Sequence, residues 1–152
     1  MKPLLPLVFV FAALLPSCTG EAAPEALVQG RDPCASCRMP VSDIRFAAQI
    51  TSPGELTLFF DDPGCLAEFV KGGQVKNGAA VAWVADHRTR AWVRADRAVY
   101  TRVKGLSTPM NHDLVTHETP ASRDSDPETR AGQPVTLQEI FGPQGPPAGG
   151  RP

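Results

Sequence analysis

The nine residues Asp32-Pro33-Cys34-Ala35-Ser36-Cys37-Arg38-Met39-Pro40 constrain this chain more than any other stretch. A proline stands near each end. Pro33 lacks the N–H that a helix interior needs, and Pro40 disfavours the helical region for Met39. The segment is therefore expected as a loop that presents two thiols and a thioether over six residues. Thiolate and thioether sulfur are soft donors and favour Cu(I) over hard cations such as Mg or Ca. Cys37 and Met39 are two apart, so in an extended chain their side chains leave by the same face. Cys34 precedes Cys37 by three, a spacing that a turn after Pro33 closes. The expected site is a Cu(I) site with most of its ligands in this loop.

The chain downstream supplies a scaffold. Ile44 to Ile50 alternates as a strand, with Ile44, Phe46, Ala48 and Ile50 on one face. Thr51-Ser52-Pro53-Gly54-Glu55 is turn chemistry, and Leu56 to Phe60 returns as the second arm of a hairpin. Asp62 is a good N-cap and Pro63 suits the first helical position. The helix should run through Lys71, set Cys65, Leu66, Phe69 and Val70 toward one side, and stop at Gly72-Gly73. Capping and turn formation account for Asp61 and Asp62 more simply than a catalytic carboxylate pair. Further strands are expected at Ala79 to Ala85, Arg90 to Arg94 and Val99 to Val103, with Trp83 and Trp92 packing in the sheet. Thr116 to Arg130 is polar, contains Pro120 and Pro127, and reads as a long loop. Val135 to Phe141 returns as a short edge strand or helical turn. Gly142 to Pro152 is rich in Gly and Pro and reads as a disordered tail. The expected fold class is α+β, one domain over residues 32–141. No internal repeat is visible in the sequence.

The N-terminus reads differently. Lys2, an apolar run from Leu4 to Leu15, and Leu15-Pro16-Ser17-Cys18 have the layout of a secretory signal. The run is too short for an ordinary membrane-spanning helix. Leu15-Pro16-Ser17-Cys18 resembles a bacterial lipobox, which implies a signal peptide at 1–17, a lipid on Cys18 and a flexible spacer at 18–31. Thr19 after that cysteine resembles lipoproteins sent to the outer membrane. The expectation is an exported chain tethered to a membrane by its lipid, at the periplasmic face of the outer membrane. The chain has 15 basic and 16 acidic residues. Loss of Lys2 with the signal leaves 14 against 16, a net charge of −2. That balance, without a basic cluster, argues against nucleic-acid binding.

With Cys18 set aside, Cys34, Cys37 and Cys65 remain, an odd number that a pure disulfide framework cannot use in an oxidising compartment. A Cys-x-x-Cys redox pair should follow a buried strand, and Val28 to Asp32 is not one. Covalent haem attachment would need a histidine where Arg38 stands. Structural zinc would need four ligands, such as the three cysteines and a histidine. A disulfide between Cys34 and Cys37 would leave Met39 unexplained. Met110, in Ser107-Thr108-Pro109-Met110-Asn111-His112, is a second thioether held behind a stiffening proline. His112 is a further candidate ligand, two residues from Met110. Cys65 lies in the first helical turn, where the dipole can lower a thiol pKa, but its neighbours Leu66 and Phe69 favour core packing. His87 and His117 are expected at the surface.

The lipobox at Cys18, Cys34-Ala35-Ser36-Cys37-Arg38-Met39, Phe60-Asp61-Asp62-Pro63-Gly64-Cys65 and Thr108-Pro109-Met110 together resemble the NosL family, the accessory lipoproteins of nitrous oxide reductase. The resemblance implies small ββαβ units similar to those of the organomercurial lyase superfamily. It also implies a periplasmic Cu(I) metallochaperone that supplies copper to nitrous oxide reductase or another copper-accepting protein. By position, the implied ligands are Cys37, Met39 and Met110, with Cys34 and His112 as further candidates. Arg38 stands where the family commonly has glycine, and Asn111-His112 replaces small residues. No nucleophile–base–orienter set is visible, so catalysis is not expected. The alternatives are a zinc- or disulfide-stabilised lipoprotein with an interaction role, and a thiol oxidoreductase or organomercurial lyase-like protein.

Overall fold

Alternation begins four residues later than the sequence pattern suggests. In the computed structural model, which describes residues 23–150, Ile44 to Phe46 form a turn, with the Phe46 N–H donating to the Asp43 carbonyl at 3.1 Å. The Asp43 carboxylate accepts from the Arg45 N–H at 2.9 Å, an Asx turn that outcompetes extension. Strand β1 (Ala48–Thr51) follows and is buried throughout. It pairs antiparallel with β2 (Leu58–Phe60), Ala48 opposite Phe60, which makes the expected hairpin. Helix α1 (Pro63–Lys71) starts where Asp62 and Pro63 place it and packs Leu66, Phe69 and Val70 inward. Strand β3 (Val81–Ala85) pairs with the other edge of β1, and β4 (Trp92–Arg94) lies beyond it, giving the order β2-β1-β3-β4.

The same pattern then returns. Strand β5 (Val99–Arg102) pairs with β6 (Leu114–His117) on one side and β7 (Gln133–Val135) on the other, both antiparallel. Between β6 and β7 lies helix α2 (Pro120–Asp124), capped by Thr119. The chain thus contains two ββαβ units, β1-β2-α1-β3 and β5-β6-α2-β7, each with its first strand in the middle. In both, the helix opens with proline, three residues after the last residue of the hairpin's second strand: Phe60 to Pro63, and His117 to Pro120. The fold class is α+β, as expected. The stretch Thr116 to Arg130 is not a plain loop, because Thr119 and Pro120 supply cap and first turn in the same arrangement as Asp62 and Pro63. Helix α3 (Leu137–Phe141) carries a capping box between Thr136 and Glu139, so the helical turn at this position holds. One apolar core joins both sheets, with Phe60 edge-on to Phe69 and Tyr100 edge-on to Phe141.

Three further expectations are corrected. Pro147 and Ala80 carbonyls accept from Ala82 and Gly149 N–H groups at 2.8 Å each, so the tail lies along β3 through Ala148. Its backbone groups find partners on β3, which composition cannot reveal. Within the expected spacer, Gln49 exchanges hydrogen bonds of 2.8 and 3.1 Å with the Glu25 backbone, and Gly30 donates to Val41, so residues 25–31 are packed against the domain. His87 and His117 are buried, 3% and 0% exposed, because the second unit folds over the β3–β4 turn. The segment expected as a signal and Cys18 lie outside the described residues, and no described helix is long and apolar enough to cross a membrane.

Asp86, in the β3–β4 turn, links the units. Its Oδ1 accepts from the Arg88 and Thr89 N–H groups at 3.0 and 2.9 Å. Its Oδ2 accepts from the Glu118 N–H and the Ser122 hydroxyl, both at 2.8 Å. Burial pushes this carboxyl up, but the donors outweigh it and hold it at about 2, below the ordinary 3.8. A carboxylate held low contributes stability that is present above its unfolded value and is lost as pH falls through its folded one. We expect Asp86→Ala to lower the unfolding free energy by about 2–4 kcal/mol near neutrality, since several buried donors lose their acceptor. In urea titrations, the gap between wild type and variant should narrow between about pH 4 and pH 2; a gap independent of pH there would contradict this role.

Candidate metal centre

The fenced loop folds as a closed β-turn structure. Pro33 bridges Pro40, the Cys34 N–H donates to the Met39 carbonyl at 2.8 Å, and the Arg38 N–H donates to the Cys34 carbonyl at 2.9 Å. The Ala35 N–H donates to the Phe59 carbonyl at 2.7 Å, which lays the loop along β2. Arg38 sits at φ 69°, in the left-handed region. That conformation costs an L-residue about 1–2 kcal/mol and costs glycine nothing comparable. It also breaks the extended geometry expected between Cys37 and Met39. Cys37 lies in the turn facing inward, whereas Met39 is 49% exposed.

The turn brings Cys37 to Cys34, and α1 brings Cys65 to both. The three Sγ atoms lie within 4.8 Å of one another, and all three thiols are free. Cys34 and Cys65 are fully buried, and Cys37 is half-buried at the mouth. Cys65, assigned to the core from its neighbours, is both a core residue and a member of this cluster. A helix of ordinary pitch gave no sign of this, because its partners come from a loop 28 and 31 residues earlier in the chain.

The cluster carries uneven electrostatics. The Cys34 thiol is lowered, chiefly because Cys65 donates its S–H to it, and burial only partly opposes this. The Cys37 N–H also reaches Cys34 Sγ at 3.4 Å. Cys65 is raised by the same hydrogen bond, by burial and by the charge of Asp62. The helix dipole was expected to lower Cys65, and these nearer groups override it. Cys37 is raised, first by burial, with the neighbouring Cys34 adding to it. A soft metal ion would meet one thiolate in place and release the protons of the other thiols on ligation.

Asp62 holds the second half of the site. Fully buried, it caps α1 by accepting from the Cys65 N–H at 2.9 Å. It accepts from the Met110 N–H at 3.1 Å and bonds His112 Nδ1 at 2.8 Å. His112 Nε2 reaches Glu68 Oε1 at 3.2 Å. The loop carrying Met110 and His112 is thus pinned to the first turn of the helix that carries Cys65. Asn111, next to both, takes the left-handed φ of 57° that asparagine tolerates. Met110 is half-buried and packs against the core. Asp62, Cys65 and His112 form a second donor group that shares Cys65 with the thiol triad. The expected ligands Cys34, Cys37 and His112 therefore belong to one continuous cluster, with Met110 anchored to its edge and Met39 at the surface.

The Cys34, Cys37 and Cys65 group can hold a metal ion. Comparison with models of known protein families and with curated protein sequences finds no match.

Gly64 is needed for this arrangement, since a Cβ there would collide with the His112 ring. Burial lowers His112, but the charges and hydrogen bonds of Asp62 and Glu68 prevail and raise it above 6.5. A raised histidine contributes stability that is fully present below its unfolded value and disappears as pH climbs through its folded value. Gly64→Ala should expel the ring and return His112 to an ordinary titration, read by NMR of the ring protons. An unchanged His112 titration in a folded Gly64→Ala protein would show that the contact is not needed.

Proposed function

We propose that this protein is a Cu(I) carrier, holding one ion in the cluster formed by Cys34, Cys37 and Cys65. The observation that carries the reading is the convergence of three thiols from two distant segments, two of them fully buried and one half-buried. Three sulfur donors with no carboxylate among them suit a soft monovalent ion. Met39, half-exposed beside Cys37, and Met110, anchored through Asp62, are weak neutral donors on the route in and out. Transfer proceeds by ligand exchange: an acceptor's sulfur or imidazole enters at Cys37 and Met39 before the buried cysteines let go. The chemistry is binding and hand-over, without turnover of a substrate.

The resemblance to the NosL accessory lipoproteins supports the physiological setting of this proposal. The protein would be exported, held at a membrane by a lipid on Cys18, and would supply copper for maturation of nitrous oxide reductase or another copper enzyme. The ligand set proposed here differs from the one that resemblance implies: Cys37 is kept, Cys34 and Cys65 join it, and the methionines are peripheral.

The test is a titration of the reduced protein, starting after the signal segment, with Cu(I) against a competing chelator. One equivalent should bind, and Cys37→Ser or Cys34→Ser should weaken it by about 100-fold or more, since even loss of an outer partner costs about 10- to 100-fold. Met39→Leu should slow transfer to the chelator while leaving affinity within about tenfold. Preferential Zn(II) binding that ignores both Met39→Leu and Met110→Leu would overturn the copper reading, as would thiol–disulfide turnover at Cys34 and Cys37.

A further inference from the structure

A second cluster of donors lies away from the sulfur site, in the second ββαβ unit. His87 comes from the β3–β4 turn, His117 ends β6, and Asp126 follows α2. All three are buried, with side chains 3%, 0% and 4% exposed. Their approach is convergent. Asp126 Oδ1 is held by the Glu128 N–H at 3.0 Å, which aims Oδ2 inward. That single oxygen meets His87 Nδ1 at 2.7 Å and His117 Nε2 at 3.0 Å. The Thr129 hydroxyl, also buried, stands 3.3 Å from the same His117 nitrogen.

These spacings are close to those of a first coordination shell. Ligand atoms at about 2.0–2.1 Å from a tetrahedral zinc lie about 3.3 Å from one another. The two edges at Asp126 Oδ2, 2.7 and 3.0 Å, are shorter than that value by about 0.6 and 0.3 Å, and all three ligand atoms lie within 4.8 Å of one another. The far sides of the rings add a second observation. His87 Nε2 and His117 Nδ1 are buried with no hydrogen-bond partner. A hydrogen-bonded latch makes both far nitrogens unpaired buried acceptors, each costly, whereas a metal on the near nitrogens makes them N–H donors, of which His87 Nε2 has a carboxylate to face and His117 Nδ1 has none. When a metal takes one ring nitrogen the other carries the proton and is turned toward a carboxylate. For His87 that carboxylate is present: Glu128 Oε2 lies 3.7 Å from Nε2, on a side chain half in solvent.

We propose that His87 Nδ1, His117 Nε2 and Asp126 Oδ2 form a second metal site, selective for a borderline divalent ion such as Zn(II). Two imidazoles and a carboxylate match zinc's preferences and lack the sulfur that draws Cu(I). Three protein ligands leave a fourth position, beside the Thr129 hydroxyl, for water. The ion ties the turn between β3 and β4 of the first sheet to β6 and the loop after α2 of the second. The site shares no residue with the sulfur cluster, so it stands or falls independently of the copper proposal.

The test uses the reduced full mature chain, labelled with 15N, and Zn(II) as the probe, with Co(II) as the optical reporter. One equivalent of Zn(II) should move the ring nitrogens of both His87 and His117 to metal-bound shifts. At a hundredfold excess over Kd it should raise Tm by about 5 °C. Co(II) should give visible d–d bands at this site without a sulfur charge-transfer band, and Cys37→Ser should leave them unchanged. Asp126→Asn keeps the side-chain volume and should abolish the Tm rise. If Zn(II) leaves both rings unshifted in the wild-type protein, the site is a hydrogen-bonded latch and the proposal fails. It fails equally if Zn(II) or Co(II) binding disappears with Cys37→Ser and persists with Asp126→Asn.

Discussion

A single buried carboxylate, Asp62, organises the metal centre and much of the domain around it. It terminates the open N–H groups of α1, receives the amide of Met110 and holds the ring of His112. Buried charges are tolerated only where several donors converge on them, and here the donors come from both ββαβ units. The loop between β5 and β6 therefore has one place to dock. Cys65 sits three residues into the same turn, so the dock and the sulfur cluster are built from one helix start.

The two units exchange parts. The first unit's sulfur site borrows its rim from the second unit's β5–β6 loop, and the second unit's His87–His117–Asp126 cluster borrows His87 from the first sheet. Asp86 makes the joint between them with two hydrogen bonds, from the Glu118 N–H and the Ser122 hydroxyl, while two more hold its own turn. The consequence is mechanical as well as chemical. The His87–His117–Asp126 cluster does not exist in an isolated unit, whereas the three thiols all come from the first unit and only their Asp62–His112 rim needs the second. The two clusters offer different donors, sulfur at one and nitrogen with oxygen at the other.

Charge is distributed unevenly within the sulfur site, which bears on transfer. Cys34 is the thiol poised to lose its proton, and it is buried, while Cys37 is more exposed and holds its proton more tightly. In the proposed carrier, an ion would meet the half-buried Cys37 and the exposed Met39 first and would leave by the same side chains. The strained φ of Arg38 is what separates those two side chains, one inward and one outward.

Local chemistry in the sequence determined the hairpin of β1 and β2, the start of α1 at Asp62-Pro63, and the soft character of the Cys34–Met39 loop. Each of these rests on contacts between near neighbours: alternation, a cap with its proline, a pair of prolines. The repeated ββαβ unit was hidden because Thr119-Pro120 sits in polar sequence with no apolar run beside it to mark a helix. Burial of His87 and His117, the docking of the tail on β3 and the joining of Cys65 to Cys34 and Cys37 were decided by tertiary structure alone. Most of the partners are tens of residues apart, and even His117, nine residues from Asp126, is buried by the approach of His87 from the other unit. A side chain's fate then depends on which unit closes over it, and spacing along the chain carries no record of that.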